Sequence, residues 1–183
     1  SDASGLLAGR LWQLKLYDEI VQRFPPRLAE DGETAALRCR ALYQLGKTEE
    51  AVNSLSVLRK LAYSSASAKG WVGIIDALHS GKVPDDVAVI ASCQAALRDR
   101  PDPYIQLVLA EAYQRTGQAD DALQTMKQIF GEAPGWAEPR LKFAEVLGAG
   151  GYFSQEAAYA QSALQRLPGD REATLCLLTA QAM

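Results

Sequence analysis

Residues 104–134 read YIQLVLAEAYQRTGQADDALQTMKQIFGEAP, and the same order of large, small, Gly and Pro residues returns 34 positions later. Leu109 maps to Phe143, Ala110 to Ala144, Tyr113 to Leu147 and Gly117 to Gly151. Ala119 maps to Phe153, Phe130 to Leu164 and Pro134 to Pro168, and a third copy opens at Leu177 and Leu178. Each matched residue has a physical role. Leu109 and Tyr113 stand four apart, on one face of a helix. Ala110 and Ala122 are small enough for two antiparallel helices to approach. Gly117 suits the left-handed residue that ends a helix, and Pro134 cannot continue the next one. Asp120 and Asp121 fall in a first turn, where negative charge meets the positive end of the helix dipole.

This period and order resemble the tetratricopeptide repeat (TPR) family, closely over residues 103–168. Upstream, residues 41–58 keep the pattern through Ala41, Leu42, Gly46, Ala51 and Leu55; residues 65–101 form a degenerate unit with Gly81 as the expected turn and Pro101 as the stop. The resemblance implies an all-α fold, a right-handed solenoid of antiparallel helix pairs with about ten helices. These are expected over 6–24, 33–45, 48–62, 66–80, 85–99, 103–116, 119–132, 137–149, 154–166 and 171–182. As a single solenoid, 1–183 divides into an N-terminal helix and break (1–32), helix pairs at 33–62, 65–101, 103–136 and 137–168, and an unpaired helix at 170–183. The stretch FPPRLAEDGE, 24–33, is the longest break and marks an expected kink. Glu156 falls where the pattern asks for a small residue like Ala122, with Ala157 beside it, which leaves the local register open.

Composition narrows the function. Hydrophobic residues make up 48% and charged residues 22%, enough to bury a core. The net charge of −3 is spread evenly and no basic run exists to neutralise phosphates, so nucleic acid is disfavoured as a partner. No apolar run approaches the ~20 residues of a membrane span, so no membrane insertion is expected. Cys39, Cys93 and Cys176 are odd in number and scattered, which argues against a disulfide framework and for small buried thiols in a reducing compartment. That favours the cytoplasm, with the periplasm open to a processed chain. The start at Ser1 reads as an excised or processed piece.

Three features invite chemistry. Gly46-Lys47-Thr48 matches the end of a phosphate-binding loop, but Ala41 stands where the motif needs glycine and no strand precedes it. The GAGGYF segment, 148–153, follows a helix and aligns with the Gly117 turn, not with a dinucleotide fingerprint. The single histidine, His79, has no nucleophile or metal-ligand pattern near it and reads as a residue capping a helix C-terminus. No catalytic residue, cofactor or metal is expected. Of the three tryptophans, Trp12 and Trp136 read as packing between repeats, and Trp71 as exposed in a groove.

In TPR proteins the first helix of each pair lines the concave face. The resemblance therefore implies partner-contacting positions at Arg40, Tyr43 and Gln44; at Trp71, Ile75 and Leu78; at Tyr104, Leu107, Glu111, Gln114 and Arg115; and at Glu138, Leu141 and Glu145. TPR domains that clamp a C-terminal carboxylate carry Asn, Lys and Arg at matching places. The ladder here reads Arg40, Ile75, Glu111, Glu145, with no Asn and one base, so that clamp is not expected. An apolar and acidic groove fits a helical or extended peptide with hydrophobic anchors and basic flanks. The expected function is a non-enzymatic protein–protein interaction scaffold or adaptor. The alternatives are a chaperone or structural subunit of a bacterial cell-envelope, secretion or polysaccharide-export assembly, and the regulatory region of a larger enzyme. The partner is a protein or peptide, and self-association through the unpaired end helices is a further expectation.

Overall fold

The computed structural model describes residues 3–26, 31–98 and 100–183. Among them it has eleven α-helices and no strand: α1 Ala3–Gln13, α2 Tyr17–Arg23, α3 Gly32–Gln44, α4 Thr48–Leu61, α5 Ala66–Leu78 and α6 Asp86–Leu97, followed by α7 Pro103–Arg115, α8 Ala119–Glu132, α9 Glu138–Ala149, α10 Phe153–Arg166 and α11 Arg171–Ala182. They fall into two compact units, Ser1–Ala96 and Leu97–Met183.

Two kinds of boundary build the helix pairs. Helices α3, α5, α7 and α11 begin at a side-chain cap: Asp31 accepts from the Thr34 N–H at 2.7 Å, Ser65 from Ala68 at 3.2 Å, Asp102 from Tyr104 and Ile105 at 2.9 and 3.1 Å, and Asp170 from Ala173 at 2.9 Å. Each supplies an acceptor to an amide that the helix leaves open. The second helices α4, α8 and α10 are entered differently, through one repeated turn. Gly46, Gly117 and Gly151 hold φ of +70°, +77° and +81°. Around Gly117, its own N–H donates to Gln114 O at 3.1 Å and the next N–H, of Gln118, reaches back to Tyr113 O at 2.8 Å. This paired closure of the last carbonyls recurs at Gly46 and Gly151.

It also recurs where no glycine stands. Lys15 has φ +57°, its N–H donates to Trp12 O at 2.9 Å, and the Leu16 N–H donates to Leu11 O at 2.9 Å. The continuous helix expected over 6–24 is therefore two, α1 and α2, and the expected unpaired N-terminal helix is a helix pair. A lysine in the glycine position concealed the turn, which is why eleven helices stand where about ten were expected. The expected kink at 24–33 falls partly on residues 27–30, which lie outside the described residues.

In the first unit, Trp12, Ile20, Leu37, Leu42, Leu58, Trp71, Ile74 and Ile75 are fully or almost fully buried. Helices α5 and α6 meet through small residues: a Cβ on Gly70 would come within 2.8 Å of the Ala96 Cβ, and one on Gly73 within 3.3 Å of Ser92 Oγ. The expected turn glycine of this pair, Gly81, does not take the left-handed conformation; the chain loops on to Asp85, which caps α6 by accepting from the Ala88 N–H at 3.1 Å.

In the second unit, α7 to α10 share a core of Ala110, Ala122, Met126, Phe143, Val146 and Leu147, with Phe130 and Tyr159 packed against it. A neighbouring cluster of Ala137, Leu141, Ala163 and Ala173 brings in α11. The open register at Glu156 is settled, because α8 and α10 correspond end to end at the 34-residue shift, Ala119 to Phe153 and Glu132 to Arg166. Glu156 does occupy the Ala122 position, and it is buried, at 6% exposure. Room comes from the facing helix: Gly148 on α9 stands where α7 has Gln114, and the Glu156 carboxylate lies against its bare Cα. The glutamate takes the space that the glycine leaves. Its Oε1 accepts from the Cys176 thiol of α11 at 3.3 Å.

Candidate functional site

Register decides which first-helix side chains reach the surface. The expected positions divide into core and cleft. Trp71 and Ile75 are fully buried, and Leu107, Leu141 and Tyr104 are at 1%, 2% and 7% exposure. The expectation of an exposed Trp71 is overturned: its ring is one side of a stack, not a platform. The Arg40 guanidinium lies between the Trp12 ring, 4.4 Å from its centre, and the Trp71 ring, at 5.3 Å, so one cation ties α1, α3 and α5 together. Arg40 is itself at 8% exposure. These six side chains serve the core, and the apolar anchors expected in a groove are spent there. Trp12 and Trp136 are buried as expected, Trp136 with Tyr104 at 5.2 Å between ring centres.

At the surface of the first unit, Tyr43 and His79 stack face to face at 3.5 Å, joining the C-terminal ends of α3 and α5. His79 is the C-cap residue of α5, as its place in the sequence implied, but its ring packs on Tyr43. Burial and the Arg40 charge lower its pKa, so neutral imidazole is favoured. Burial raises the Tyr43 pKa. Gln44 is exposed and Leu78 half-buried beside them.

The second unit gathers the rest. Glu111, Gln114 and Arg115 from α7 and Lys142 and Glu145 from α9 line one open cleft of about 470 Å³. Glu111 and Glu145 are the same repeat position 34 residues apart, so two stacked first helices present their carboxylates to one space. Lys142 Nζ lies 3.0 Å from Glu145 Oε2 and 3.4 Å from Oε1. Burial alone would lower its pKa, yet the pKa is raised, because Glu145, Glu111 and Glu172 together outweigh desolvation. Glu138, expected on this face, is half-buried at the start of α9 and is not among the cleft residues. Lys142 was not anticipated; the position 34 residues earlier is Val108, which is buried.

Among the described residues no three of His, Cys, Asp and Glu stand together as a metal-binding group would, and no helix is long and apolar enough to cross a membrane. Cys39 and Cys93 are buried and Cys176 half-buried, and none of the three is in a disulfide.

No protein-family model matches the chain, and no curated protein does. Solved structures do. TTC0263, a thermophilic TPR protein of Thermus thermophilus, superposes with a TM-score of 0.69 at 19% identity, covering 98% of both chains. YrrB, a TPR protein, gives 0.56 at 16% identity over 91% of this chain and 82% of its own. MamA gives 0.52 at 19% identity over 82% and 84%. The fold is that of the TPR solenoid proteins, an all-α array of helix pairs.

Proposed function

We propose that this chain is a non-enzymatic interaction scaffold that holds a protein or peptide segment against the first-helix face of its second unit. The observation that carries the reading is the cleft of Glu111, Gln114, Arg115, Lys142 and Glu145. Five polar side chains from two successive first helices converge there, while the apolar residues on the same helices are committed to the core. Such a cleft suits a segment recognised by ion pairs and by hydrogen bonds to its main chain, for which the Gln114 amide offers both a donor and an acceptor. The similarity to YrrB, described as having an unusual peptide-binding site, supports the same use of the fold. Apolar anchors do not enter this reading, since the residues expected to supply them are buried.

Site-specific photo-crosslinking tests it. A benzophenone side chain at Gln114, on α7, is expected to capture the partner in extracts of the native source, whereas one at exposed Gln124 on α8 is not. Capture from Gln124 and none from Gln114 would put the interaction on the other face and refute the proposal.

A further inference from the structure

Helix α11 carries a face that the first helices α7 and α9 keep covered. At the 34-residue shift Leu175 corresponds to Leu107 and Leu141, and Leu178 to Ala110 and Ala144. Those four earlier residues are buried, whereas Leu175 is 65% exposed and Leu178 58%. A further helix of the repeat kind matches this face poorly. Ala110 is small and shares a cluster with Ala122 of α8, so those two helices meet closely, but a leucine stands at that place in α11. Leu175 and Leu178 belong instead to a seam of Arg171, Leu175, Leu178 and Ala182. Its steps of four, three and four are the spacing of helices that pack side by side along their length.

The helix reads alike in both directions. Turned end for end about the midpoint between Cys176 and Leu177, Leu175 takes the place of Leu178, Thr174 of Thr179 and Glu172 of Gln181. We propose that a second copy of this chain covers the face, the two α11 helices lying antiparallel across a twofold axis. A twofold contact sets one surface against itself, so it needs a self-complementary patch, and this seam is one. Each Leu175 meets a Leu178, and residues 173–183 carry no charge that would oppose its like. Arg171 falls beside the last turn of the facing helix, where the helix dipole favours a cation. The flanking hydroxyls keep their bonds when covered: Thr174 Oγ1 donates to Asp170 O at 2.8 Å and Thr179 Oγ1 to Leu175 O at 3.0 Å. The contact uses none of the cleft residues and stands apart from the scaffold reading.

Sedimentation equilibrium of the full chain tests it. The average mass should climb from one copy toward two as the concentration rises through the micromolar range. Leu175→Glu and Leu178→Glu lie at exposed sites, so far-UV circular dichroism should stay unchanged. Each should weaken the dimer at least about tenfold, because a carboxylate would be trapped between leucines. Leu6→Glu, at an exposed leucine of α1, should leave the dimer as it is. Direction is read with Arg171→Cys and Ala182→Cys. The helical rise sets these two positions about 16 Å apart. Antiparallel helices therefore bring Arg171 of one copy beside Ala182 of the other, and the two variants, mixed, should form a disulfide with each other in preference to themselves. A chain that stays monomeric at every concentration overturns the proposal. So does a dimer indifferent to both glutamate variants, one lost in Leu6→Glu, or one in which Arg171→Cys links to its own kind.

Discussion

Replacing Gly148 by alanine should destabilise the chain, and replacing Glu156 by alanine first should reverse that sign. A Cβ on Gly148 would overlap the Glu156 carboxylate carbon and Oε2 and lie 2.6 Å from Oε1. The carboxylate has little freedom to withdraw. It is 6% exposed, and moving it breaks the bond that Oε1 accepts from Cys176. Overpacking of this kind costs about 1–3 kcal/mol. Against it stands the helix-propensity gain of alanine over glycine, at most ~1 kcal/mol and smaller here because Gly148 is the penultimate residue of α9. The net expectation for Gly148→Ala alone is a loss of about 1–2 kcal/mol. In the Glu156→Ala background the obstruction is gone and the propensity term remains, so the same change should be neutral or stabilising by up to ~1 kcal/mol. The coupling between the two positions is then about 1–3 kcal/mol, well above the few tenths expected of independent sites. Urea unfolding of the four proteins, followed by circular dichroism with the slope checked for constancy, measures it. Equal destabilisation by Gly148→Ala in both backgrounds would show that the glycine is not making room for the glutamate.

Three further outcomes follow from the same geometry. Lys15→Gly should stabilise by about 1 kcal/mol, since Lys15 holds φ +57° in a turn whose other copies are glycine, while Gly117→Ala should cost a similar amount; thermal melts decide both. Trp71→Ala should cost about 3–5 kcal/mol, because it opens a cavity at a fully buried ring and removes one face of the Arg40 stack; a loss under 1 kcal/mol would contradict that placement. Cys39 and Cys176 should react slowly with iodoacetamide at pH 8 and quickly once unfolded, because burial pushes both thiols from 9.0 up to about 12, with the Glu156 carboxylate adding to the effect at Cys176. The sign for stability follows: the folded state prefers the neutral thiol, so this contribution is complete below pH 9.0 and falls away as pH rises toward about 12.

Helix pairs were legible wherever a landmark residue does a backbone job. Gly46, Gly117 and Gly151 announce their turns because a left-handed residue favours glycine. Lys15 performs the same turn without the landmark, and the α1–α2 boundary vanished from the pattern with it. The surface was harder to read, because the register names a helix face and not the depth of what covers it. Trp71 lies on a first helix, where an exposed aromatic was expected, but Arg40 and the ring of Trp12 close over it. Glu111, Gln114, Arg115 and Glu145 do converge, and no aromatic ring is among the residues that line their cleft.

The repeat position six residues before the turn shows how one scaffold carries unlike surfaces. It holds Gly9, Arg40, Glu111 and Glu145 ahead of Lys15, Gly46, Gly117 and Gly151. At Arg40 the rings of Trp12 and Trp71 flank the position, so the side chain is drawn into the core and its charge is held by aromatic faces. The cleft that Glu111 and Glu145 line holds no aromatic ring among its lining residues, and Lys142 pairs with Glu145 there. The backbone register is the same in both places. What differs is the neighbour, and the same rule governs Glu156, which occupies an alanine's position because Gly148 yields a side chain's worth of space. Charge at such a position therefore becomes core or contact surface according to the residue facing it. Placing a tryptophan at Gln114 should accordingly cover the cleft from its rim and block the partner contact proposed for it while leaving the helix pairs intact, since that side chain is only half-buried and the core beneath it is already complete.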